Sequence, residues 1–199
     1  MKKNATKVIT GICRFSYLFA INPHTVEDGQ TPRYSVSLII PKSDTKTIAA
    51  INAAINAAYE DGKSKLSGKS KIVPKLETLK TPLRDGDMEK PDDEIYKDSY
   101  FLNASNVNKP EIVDRFLNPI ENESLIYSGM YGRASISFYA FNKAGNKGIA
   151  CSLGNLMKTA DGTRLSGNAT AKEDFSDFAE TPDFDEETGG IISEGNAPF

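Results

Sequence analysis

The sequence contains no tryptophan, only two cysteines and a single histidine, and it has no apolar run long enough to cross a membrane. The cysteines, Cys13 and Cys151, stand in apolar strand-like stretches without other ligand types beside them, which favours small buried thiols of a cytoplasmic protein. The histidine, His24, lies in a turn-rich connection, where we expect an ordinary loop residue. These absences leave zinc ligation and histidine-activated nucleophiles without support.

Motifs of common enzyme classes are also missing, since the sequence has no phosphate-binding loop, dinucleotide fingerprint or nucleophile elbow. One stretch, LRDGDMEKPDDE, places carboxylates at alternate positions. Counted from Asp85, however, Lys90 and Tyr96 occupy the positions where a calcium-binding EF-hand loop needs Gly and Glu. We therefore expect a solvated acidic loop, and a protein that is not an enzyme and uses no metal or cofactor. The alternative is a metal-dependent nuclease or strand-processing enzyme that uses the carboxylates of this loop, namely Asp85, Asp87, Asp92 and Asp93.

The charge is divided unevenly along the chain, although the net charge is only -3. Residues 173–199 carry nine acids and no Lys or Arg, whereas residues 1–172 carry all 24 basic residues and the other 18 acids, a balance of +6. Such an asymmetry is typical of a body that binds a polyanion and of an acidic tail. We expect a folded domain at residues 1–170 and a disordered acidic tail at residues 171–199.

Alternation with a period of two residues dominates the first part of the chain and predicts β-strands. The predicted strands are KVITGICRFSYLFAI, RYSVSLIIP, SYFLNASNV and a long hairpin formed by SLIYSGMYGRASISFYAF and IACSLGNLMKT. Arg14 and polar residues interrupt the apolar character of the first stretch, so we expect a strand there and not a signal peptide.

One segment, SDTKTIAAINAAINAAYEDGKSKL, has the period of a helix instead. Ser43 or Asp44 can cap this helix, and Gly62 is expected to end it. Residues 64–98 are polar and rich in turn signals, which predicts a long surface loop. Four or five strands with a single helix, without βαβ alternation, predict a mainly β fold: one small β-barrel with an inserted helix and long loops.

The stretch YGRASISFY suggests a binding surface, because alternation places Tyr131, Arg133 and Tyr139 on one face of a strand with only serines between them. Single-stranded nucleic acid binds to surfaces where bases stack on aromatic rings and cations follow the phosphates. The spacing alone leaves a second interpretation open, in which these tyrosines pack under the long loop or the helix. The predicted DNA-binding residues are Arg14, Phe15, Tyr17, Arg33, Lys42, Tyr131, Arg133 and Tyr139.

Several long blocks of the chain resemble a phage family of single-stranded-DNA-binding proteins with an OB fold. The blocks run from about Lys7 to about Leu165 and include YSVSLIIPKSDTKTI, SYFLNA and YSGMYGRASISFYAFN. The resemblance implies a single modified OB barrel, binding of single-stranded DNA without strong sequence preference, and a role in phage replication or recombination in the cytoplasm of the bacterial host. It also implies a homodimer and an acidic tail that ends in an aromatic residue, as in the replication protein of short-tailed coliphages.

The end of the chain is expected to serve as a DNA mimic and a docking peptide. Its carboxylates would occupy the basic groove when no strand is bound, and its last residue, Phe199, would recruit phage or host replication proteins when DNA displaces it. The alternative is a disordered tail that only keeps the protein soluble. The tail residues predicted to act in this way are Asp183, Asp185, Glu186, Glu187 and Phe199.

A further alternative for the whole protein is an RNA-binding regulator, because RNA bases would stack on the same aromatic rings as DNA bases.

Overall fold

The computed structural model describes residues 5–25, 31–68, 72–143, 145–165, 184–185 and 190–191. The chain divides into two units, Met1–Leu165 and Ser166–Phe199. The strands of the first unit are β1 (Lys7–Ile9), β2 (Cys13–His24), β3 (Arg33–Pro41), β4 (Arg84–Asp85), β5 (Ser99–Asn106), β6 (Ile112–Val113), β7 (Tyr131–Lys143) and β8 (Asn146–Ala160), and its helices are α1 (Thr45–Ser67) and α2 (Gly86–Glu89). In the second unit, β9 (Phe184–Asp185) pairs antiparallel with β10 (Gly190–Ile191).

The strands of the first unit form one eight-stranded sheet that closes into a barrel. The sheet order is β1-β7-β2-β3-β5-β8-β6, and an additional pairing of β7 with β8 closes the ring. β5 pairs with β8 in parallel, at Ser105 and Ser152. By contrast, the pairs β2–β3, β3–β5 and β7–β8 are antiparallel. The predicted mainly β barrel with one long inserted helix is therefore confirmed.

The hairpin β7–β8 follows the predicted alternation. Gly132, Ala134, Ile136 and Phe138 of β7 are buried, whereas the residues between them are exposed or half-buried. The inward side chains of β2, β3, β5 and β8 join them in one core, to which α1 contributes Ile51, Ile55 and Leu66. Each fully buried Leu or Ile stabilises the fold by about 1.5–3 kcal/mol, so this shared core holds α1 against the closed barrel.

The first predicted strand is divided into β1 and β2 by residues 10–12. The backbone N–H of Gly11 donates to Thr47 Oγ1 over 2.7 Å, and a Cβ at Gly11 would collide with the carboxylate of Asp44. The first turn of α1 therefore packs against residues 10–12, between β1 and β2. At its other end, β2 extends to His24, whose ring stacks on Phe19 at 4.6 Å. The prediction of a loop at His24 was wrong, because His24 still pairs with Arg33 of β3.

The helix α1 begins as predicted and ends later. Asp44 caps it, since the Asp44 carboxylate accepts from the backbone N–H of Thr47 at 3.1 Å. Gly62 does not end the helix, which continues to Ser67; a Cβ at Gly62 would collide with Ala140, so glycine permits the helix to lie against β7. Neither helix of the described residues has the length and apolar character that a membrane crossing requires.

The predicted surface loop at residues 64–98 is more ordered than expected in its second half. Residues 84–98, which we name the strap, contain β4, α2 and a single 3-10 turn, Glu94–Tyr96. β4 pairs with β5, and Tyr96 is buried against Ile39 and Phe101 on the outer surface of the barrel. The strap therefore covers part of the sheet whose surface carries the predicted site.

Candidate nucleic-acid interface

The outer surface of β2, β3 and β5 has small polar side chains at its centre. The strand registers place Ser16, Ser37 and Asn103 in one row and Phe19, Ser35 and Ser105 in the next. We name this surface, with the strap beside it, the sheet face. Asn103 is exposed, and Ser35 and Ser105 are half-buried. Ser16 and Ser37 are buried, and Ser16 Oγ lies 3.5 Å from the hydroxyl of Tyr96. A ligand can therefore approach the strands closely only at Ser35, Ser105 and Asn103.

Within the sheet face, aromatic rings and cations gather where the strap meets β2 and β5. The ammonium group of Lys90 lies 4.0 Å from the ring centre of Tyr96, 5.3 Å from that of Tyr17 and 5.6 Å from that of Phe101. Tyr96 and Phe101 meet edge to face at 5.0 Å, and the guanidinium of Arg84 lies over Phe101 at 4.1 Å. We name these five residues the ring cluster. Cation–π contacts and ring packing hold it together.

Tyr17 is the exposed member of the ring cluster, and a bulge in β2 turns it outward. The pairing of β2 with β3 shifts between Ser16 and Phe19, and Tyr17 has a φ of 46°, in the left-handed region that bulky residues rarely adopt. The backbone N–H of Leu18 donates to Ser128 Oγ over 3.0 Å, which fixes the bulge. The Tyr17 side chain is 61 % exposed. Its ring is therefore available for stacking, and the strain in its backbone is of the kind found at functional sites.

Arg33 lies at the other end of the sheet face. Its Nε donates to Ser105 Oγ over 3.0 Å and its Nη2 to the Ser105 carbonyl over 3.3 Å. These bonds orient the guanidinium across β3 and β5. An arginine presents five N–H donors in a fixed fork, so Arg33 keeps donors for a phosphate while it is held in place.

Lys42 is engaged with the acidic residues that the nuclease hypothesis requires. Its Nζ lies 2.7 Å from an oxygen of Asp85 and 2.7 Å from an oxygen of Asp87. The hydrogen bonds to these two carboxylates raise the pKa of Lys42, and the bond from Lys42 lowers the pKa of Asp87. Asp87 also accepts from the backbone N–H of Asp98 at 2.8 Å. Lys42 thus fastens the strap to the end of β3, and its charge is balanced by two carboxylates.

The remaining carboxylates of this loop do not converge with Asp85 and Asp87. Asp93 caps the 3-10 turn by accepting from the backbone N–H of Ile95 at 3.2 Å. No group of three or more His, Cys, Asp or Glu residues with the geometry to hold a metal ion occurs in the part of the chain that the structure describes. The observed bonds of Asp85, Asp87 and Asp93 are those of a structural loop.

The predicted residues Arg14 of β2 and Tyr131, Arg133 and Tyr139 of β7 form a second, less connected group. The guanidinium of Arg14 lies 5.7 Å from the ring centre of Tyr131, and Arg14 also donates to the carbonyls of Gly129 and Thr163. Arg133 donates to the Thr10 carbonyl over 3.1 Å. Arg14 pairs with Ile39 in the β2–β3 ladder, so Arg14 and Tyr131 border the sheet face. Tyr139 pairs with Ala150 far along β7 and is 42 % exposed.

Phe15 has to be removed from the predicted site. Its side chain is fully buried, and its ring packs so closely on β7 that a Cβ at Gly132 would lie 2.9 Å from Phe15 Cζ. Alternation placed Phe15 with Tyr17, but the bulge at Tyr17 breaks the alternation and separates the two. Of the predicted tail residues, Asp183, Glu186, Glu187 and Phe199 lie outside the described residues, and Asp185 is described only as part of β9.

Sequence reasoning missed four members of the ring cluster: Arg84, Lys90, Tyr96 and Phe101. Three of them belong to the segment predicted as a solvated loop, where no hydrophobic period marks them. The signal that was available is compositional, since Lys90 and Tyr96 are a cation and an aromatic among acids and prolines.

The fold and the sheet face together define a class of protein. A closed barrel whose outer sheet surface combines an exposed aromatic ring, cations and small hydroxyl groups is the arrangement of an OB-fold nucleic-acid-binding protein. Residues 6–186 match the family described as Enterobacter phage Enc34, ssDNA-binding protein. The chain belongs to this family, and the resemblance inferred from the sequence is confirmed.

Similar proteins come from three phages. Protein p50 of Acyrthosiphon pisum secondary endosymbiont phage 1 is 29% identical over 174 residues, which are 83% of this chain and 90% of p50. The structure of the single-stranded DNA-binding protein from bacteriophage Enc34 in complex with ssDNA has a TM-score of 0.64 and 22% identity, covering 81% of this chain and 90% of that one. The structure of gp2.5, a single-stranded DNA binding protein encoded by bacteriophage T7, has a TM-score of 0.59 and 14% identity, covering 85% of this chain and 99% of that one. These structures share the fold of the barrel.

Proposed function

We propose that this protein binds single-stranded DNA without strong sequence preference and does so on the sheet face. The observation that carries the proposal is the ring cluster, which presents the exposed ring of Tyr17 beside the ammonium group of Lys90 at 5.3 Å. In OB folds, oligonucleotides bind on the surface of the second and third barrel strands, which are β3 and β5 here. Family membership and the ssDNA-binding relatives support the same assignment.

The proposed contacts follow from the chemistry of the face. A base stacks on the exposed side of Tyr17, and such stacking contributes about 1–3 kcal/mol per base without selecting a base. The sugar–phosphate chain passes over Ser35, Ser105 and Asn103, whose short polar side chains leave room for it. Arg33 and Arg14 then neutralise phosphates at the two borders of the face, and each neutralised phosphate releases counterions.

The protein acts in this proposal without catalysis, in phage DNA replication or recombination in the cytoplasm of the host. Its ssDNA-binding relatives support the role. A homodimer is a further part of the proposal and follows from the resemblance to the coliphage replication protein. The ion pairs of Lys42 with Asp85 and Asp87 argue for a structural loop instead of a nuclease centre.

Fluorescence anisotropy with a labelled oligo-dT, over a series of salt concentrations, tests the proposal. We expect tight binding at low salt that weakens steeply as salt rises. An unlabelled RNA oligonucleotide of matched sequence, added as a competitor, ranks RNA against DNA. Incubation of the labelled strand with magnesium or manganese tests for cleavage. Absence of binding at low salt contradicts the proposal, and cleavage contradicts the non-catalytic role.

We also propose that the acidic tail competes with DNA for the sheet face and recruits replication proteins through Phe199. The distribution of charge supports this, because residues 173–199 carry nine acids and no Lys or Arg, whereas residues 1–172 have a balance of +6. Deletion of residues 173–199 is expected to raise affinity for oligo-dT at low salt and to abolish partner binding. Phe199→Ala is expected to abolish partner binding alone. Unchanged affinity after the deletion contradicts the competition.

A further inference from the structure

A further group of cations and aromatic rings lies in the segment that enters β7 and in the segment that leaves β8. The guanidinium of Arg164 lies 4.1 Å from the ring centre of Tyr127, and the Nζ of Lys158 lies 5.1 Å from the same ring centre. Beside them, the guanidinium of Arg14 lies 5.7 Å from the ring centre of Tyr131. We name these five residues the Tyr127 cluster. The strand pattern predicts a role in DNA binding for Arg14 and Tyr131 but not for the other three.

The Tyr127 cluster borders the sheet face where β2 meets β7. The strand registers place Tyr131, Arg14, Ile39 and Phe101 in one row across β7, β2, β3 and β5. Paired residues of neighbouring strands point to the same side of a sheet. Ile39 and Phe101 pack under the strap on the outer surface, so Arg14 lies on that surface too. A DNA strand on the sheet face can therefore continue over β2 to Arg14.

Hydrogen bonds join the Tyr127 cluster to the bulge that exposes Tyr17. The backbone N–H of Leu18, next to Tyr17, donates to Ser128 Oγ over 3.0 Å. The carbonyl of Ser128 accepts from the backbone N–H of Leu165 at 2.9 Å. Ser128 therefore links the bulge of β2 to both segments that carry the Tyr127 cluster, and it fixes the position of the exposed ring relative to them.

Backbone carbonyls orient the two arginines of the cluster. Arg14 Nε donates to the Gly129 carbonyl over 3.4 Å, and Arg14 Nη2 donates to the Thr163 carbonyl over 3.0 Å. Arg164 Nη2 donates to the Ser124 carbonyl over 3.2 Å. A carbonyl holds a guanidinium without cancelling its charge, and both arginines have further N–H donors. Within the part of the chain that the structure describes, neither arginine forms an ion pair with a carboxylate.

The third cation of the cluster, Lys158, is balanced by Asp161. Lys158 Nζ lies 2.6 Å from an oxygen of Asp161 and donates to the Leu125 carbonyl over 2.8 Å. The hydroxyl of Tyr127 also donates to Asp161, over 2.7 Å. The hydrogen bonds from Lys158 and Tyr127 lower the pKa of Asp161, so this carboxylate is ionised at neutral pH. The charges of Lys158 and Asp161 cancel, and the two arginines supply the positive charge of the cluster.

We propose that Arg14 and Arg164 together bind the phosphates of the strand segment that follows the base on Tyr17, so that one single strand crosses β2 and continues to the Tyr127 cluster. Oriented guanidinium groups pair well with phosphate oxygens, because they offer parallel N–H donors together with a positive charge. The rings of Tyr127 and Tyr131 support the two guanidinium groups through cation–π contacts. The inference rests on the proposed function, because the stacked base and these phosphates belong to the same strand. It adds Arg164 to the site and extends the path of the strand past the sheet face.

Anisotropy titrations of the full-length protein with oligo-dT over a salt series test the inference. Each phosphate contact on a single strand contributes about 0.7 to the slope of log affinity against log salt. Arg164→Ala should therefore lower this slope by about 0.7, and a double variant with Arg14→Ala and Arg164→Ala should lower it by about 1.4. Arg164→Lys keeps the positive charge and should keep the slope of the wild type.

Arg115→Ala is the matched control, because Arg115 also lies over an aromatic ring, that of Phe116 at 4.8 Å, on the connection between β6 and β7. It should leave the slope unchanged. A wild-type slope in Arg164→Ala overturns the inference, and so does an equal decrease in Arg115→Ala, which would trace the effect to net charge. A titration to saturation should give the same number of strands per copy for the wild type and Arg164→Ala; fewer strands for the variant would assign Arg164 to a separate site. Wild-type affinity in Tyr17→Ala contradicts the proposed function instead.

Discussion

Two outer surfaces of the barrel carry aromatic and cationic residues, and they differ in how these residues meet. On the sheet face, the ring cluster gathers residues from β2, β5 and the strap around Lys90, within 4.0–5.6 Å of three ring centres. On β7, by contrast, Tyr131 and Tyr139 are eight residues apart on one strand, which is roughly 26 Å, and Arg133 is bonded to the Thr10 carbonyl.

Alternation along a strand therefore identifies an outward surface but does not make that surface a binding site. A site for a chain of bases requires rings and cations that converge in space, and convergence depends on neighbouring strands and on the strap. β7 also shows that an arginine on an outward face can serve the fold, because Arg133 joins β7 to the break between β1 and β2. Substitutions on the sheet face and on β7 can show whether the two surfaces differ in function as they do in structure.

The greatest change should be in the free energy of unfolding, for Phe15, which the sequence pattern assigned to the DNA-binding site. Phe15→Ala should destabilise the protein by about 3–5 kcal/mol, because it empties a fully buried aromatic position. Urea unfolding followed by circular dichroism measures the change. Tyr17→Ala, two residues away and exposed, is the matched control and should change stability by less than about 1 kcal/mol. Comparable stability of both variants would place Phe15 outside the core.

The next effect separates the two surfaces in DNA binding. Tyr17→Ala should weaken binding to oligo-dT by about 1–3 kcal/mol, since it removes the exposed stacking ring of the sheet face. Tyr139→Ala removes an exposed tyrosine of β7 and should leave the affinity within about twofold. Anisotropy titrations of both variants at one salt concentration measure the difference. A larger loss with Tyr139→Ala would assign the DNA to β7.

Much of the fold was predictable from the sequence, because it is encoded by local patterns. The range of β3, the cap of α1 at Asp44 and the inward face of β7 follow from alternation and capping chemistry. The length of α1 was not predictable, since Gly62 has a role that depends on Ala140 of another element. The break between β1 and β2 likewise depends on contact between Gly11 and the start of α1.

The candidate site was less predictable for the same reason. Arg33 and Tyr17 were identified from strand patterns, and the structure places both on the sheet face. Lys90 and Tyr96 were missed, because a non-periodic segment brings them onto the sheet only through its pairing with β5. Lys42 was identified as a cation, but its bonds to Asp85 and Asp87 arise from residues more than 40 positions away.

A smaller effect distinguishes the phosphate contact from the stacking contact on the sheet face. Arg33→Ala should weaken oligo-dT binding at low salt and lower the slope of log affinity against log salt by about 0.7, the value for one phosphate contact on a single strand. Tyr17→Ala should leave that slope unchanged, because stacking releases no counterions. Anisotropy over a salt series gives both slopes. Arg133→Ala on β7 is the control, and an equal decrease of its slope would extend the DNA path to that strand.

The smallest effect concerns the pH at which the strap holds the ring cluster on the sheet face. The hydrogen bond from Lys42 lowers the pKa of Asp87. This bond therefore holds the strap on the sheet at pH values above the ordinary pKa of aspartate, about 3.9, and it is lost as the pH falls through the lowered pKa of Asp87. The hydrogen bonds to Asp85 and Asp87 raise the pKa of Lys42, so on the alkaline side the contribution is full below the ordinary pKa of lysine, about 10.4, and is lost as pH rises through the raised value. Hydrogen exchange of residues 84–98 should therefore show protection that declines below about pH 4 in the wild type. Lys42→Met should reduce this protection already at neutral pH, whereas Lys63→Met, which breaks an ion pair on α1, should not. Equal protection of Lys42→Met and the wild type at every pH would mean that the strap is held by Tyr96 and Phe101 alone.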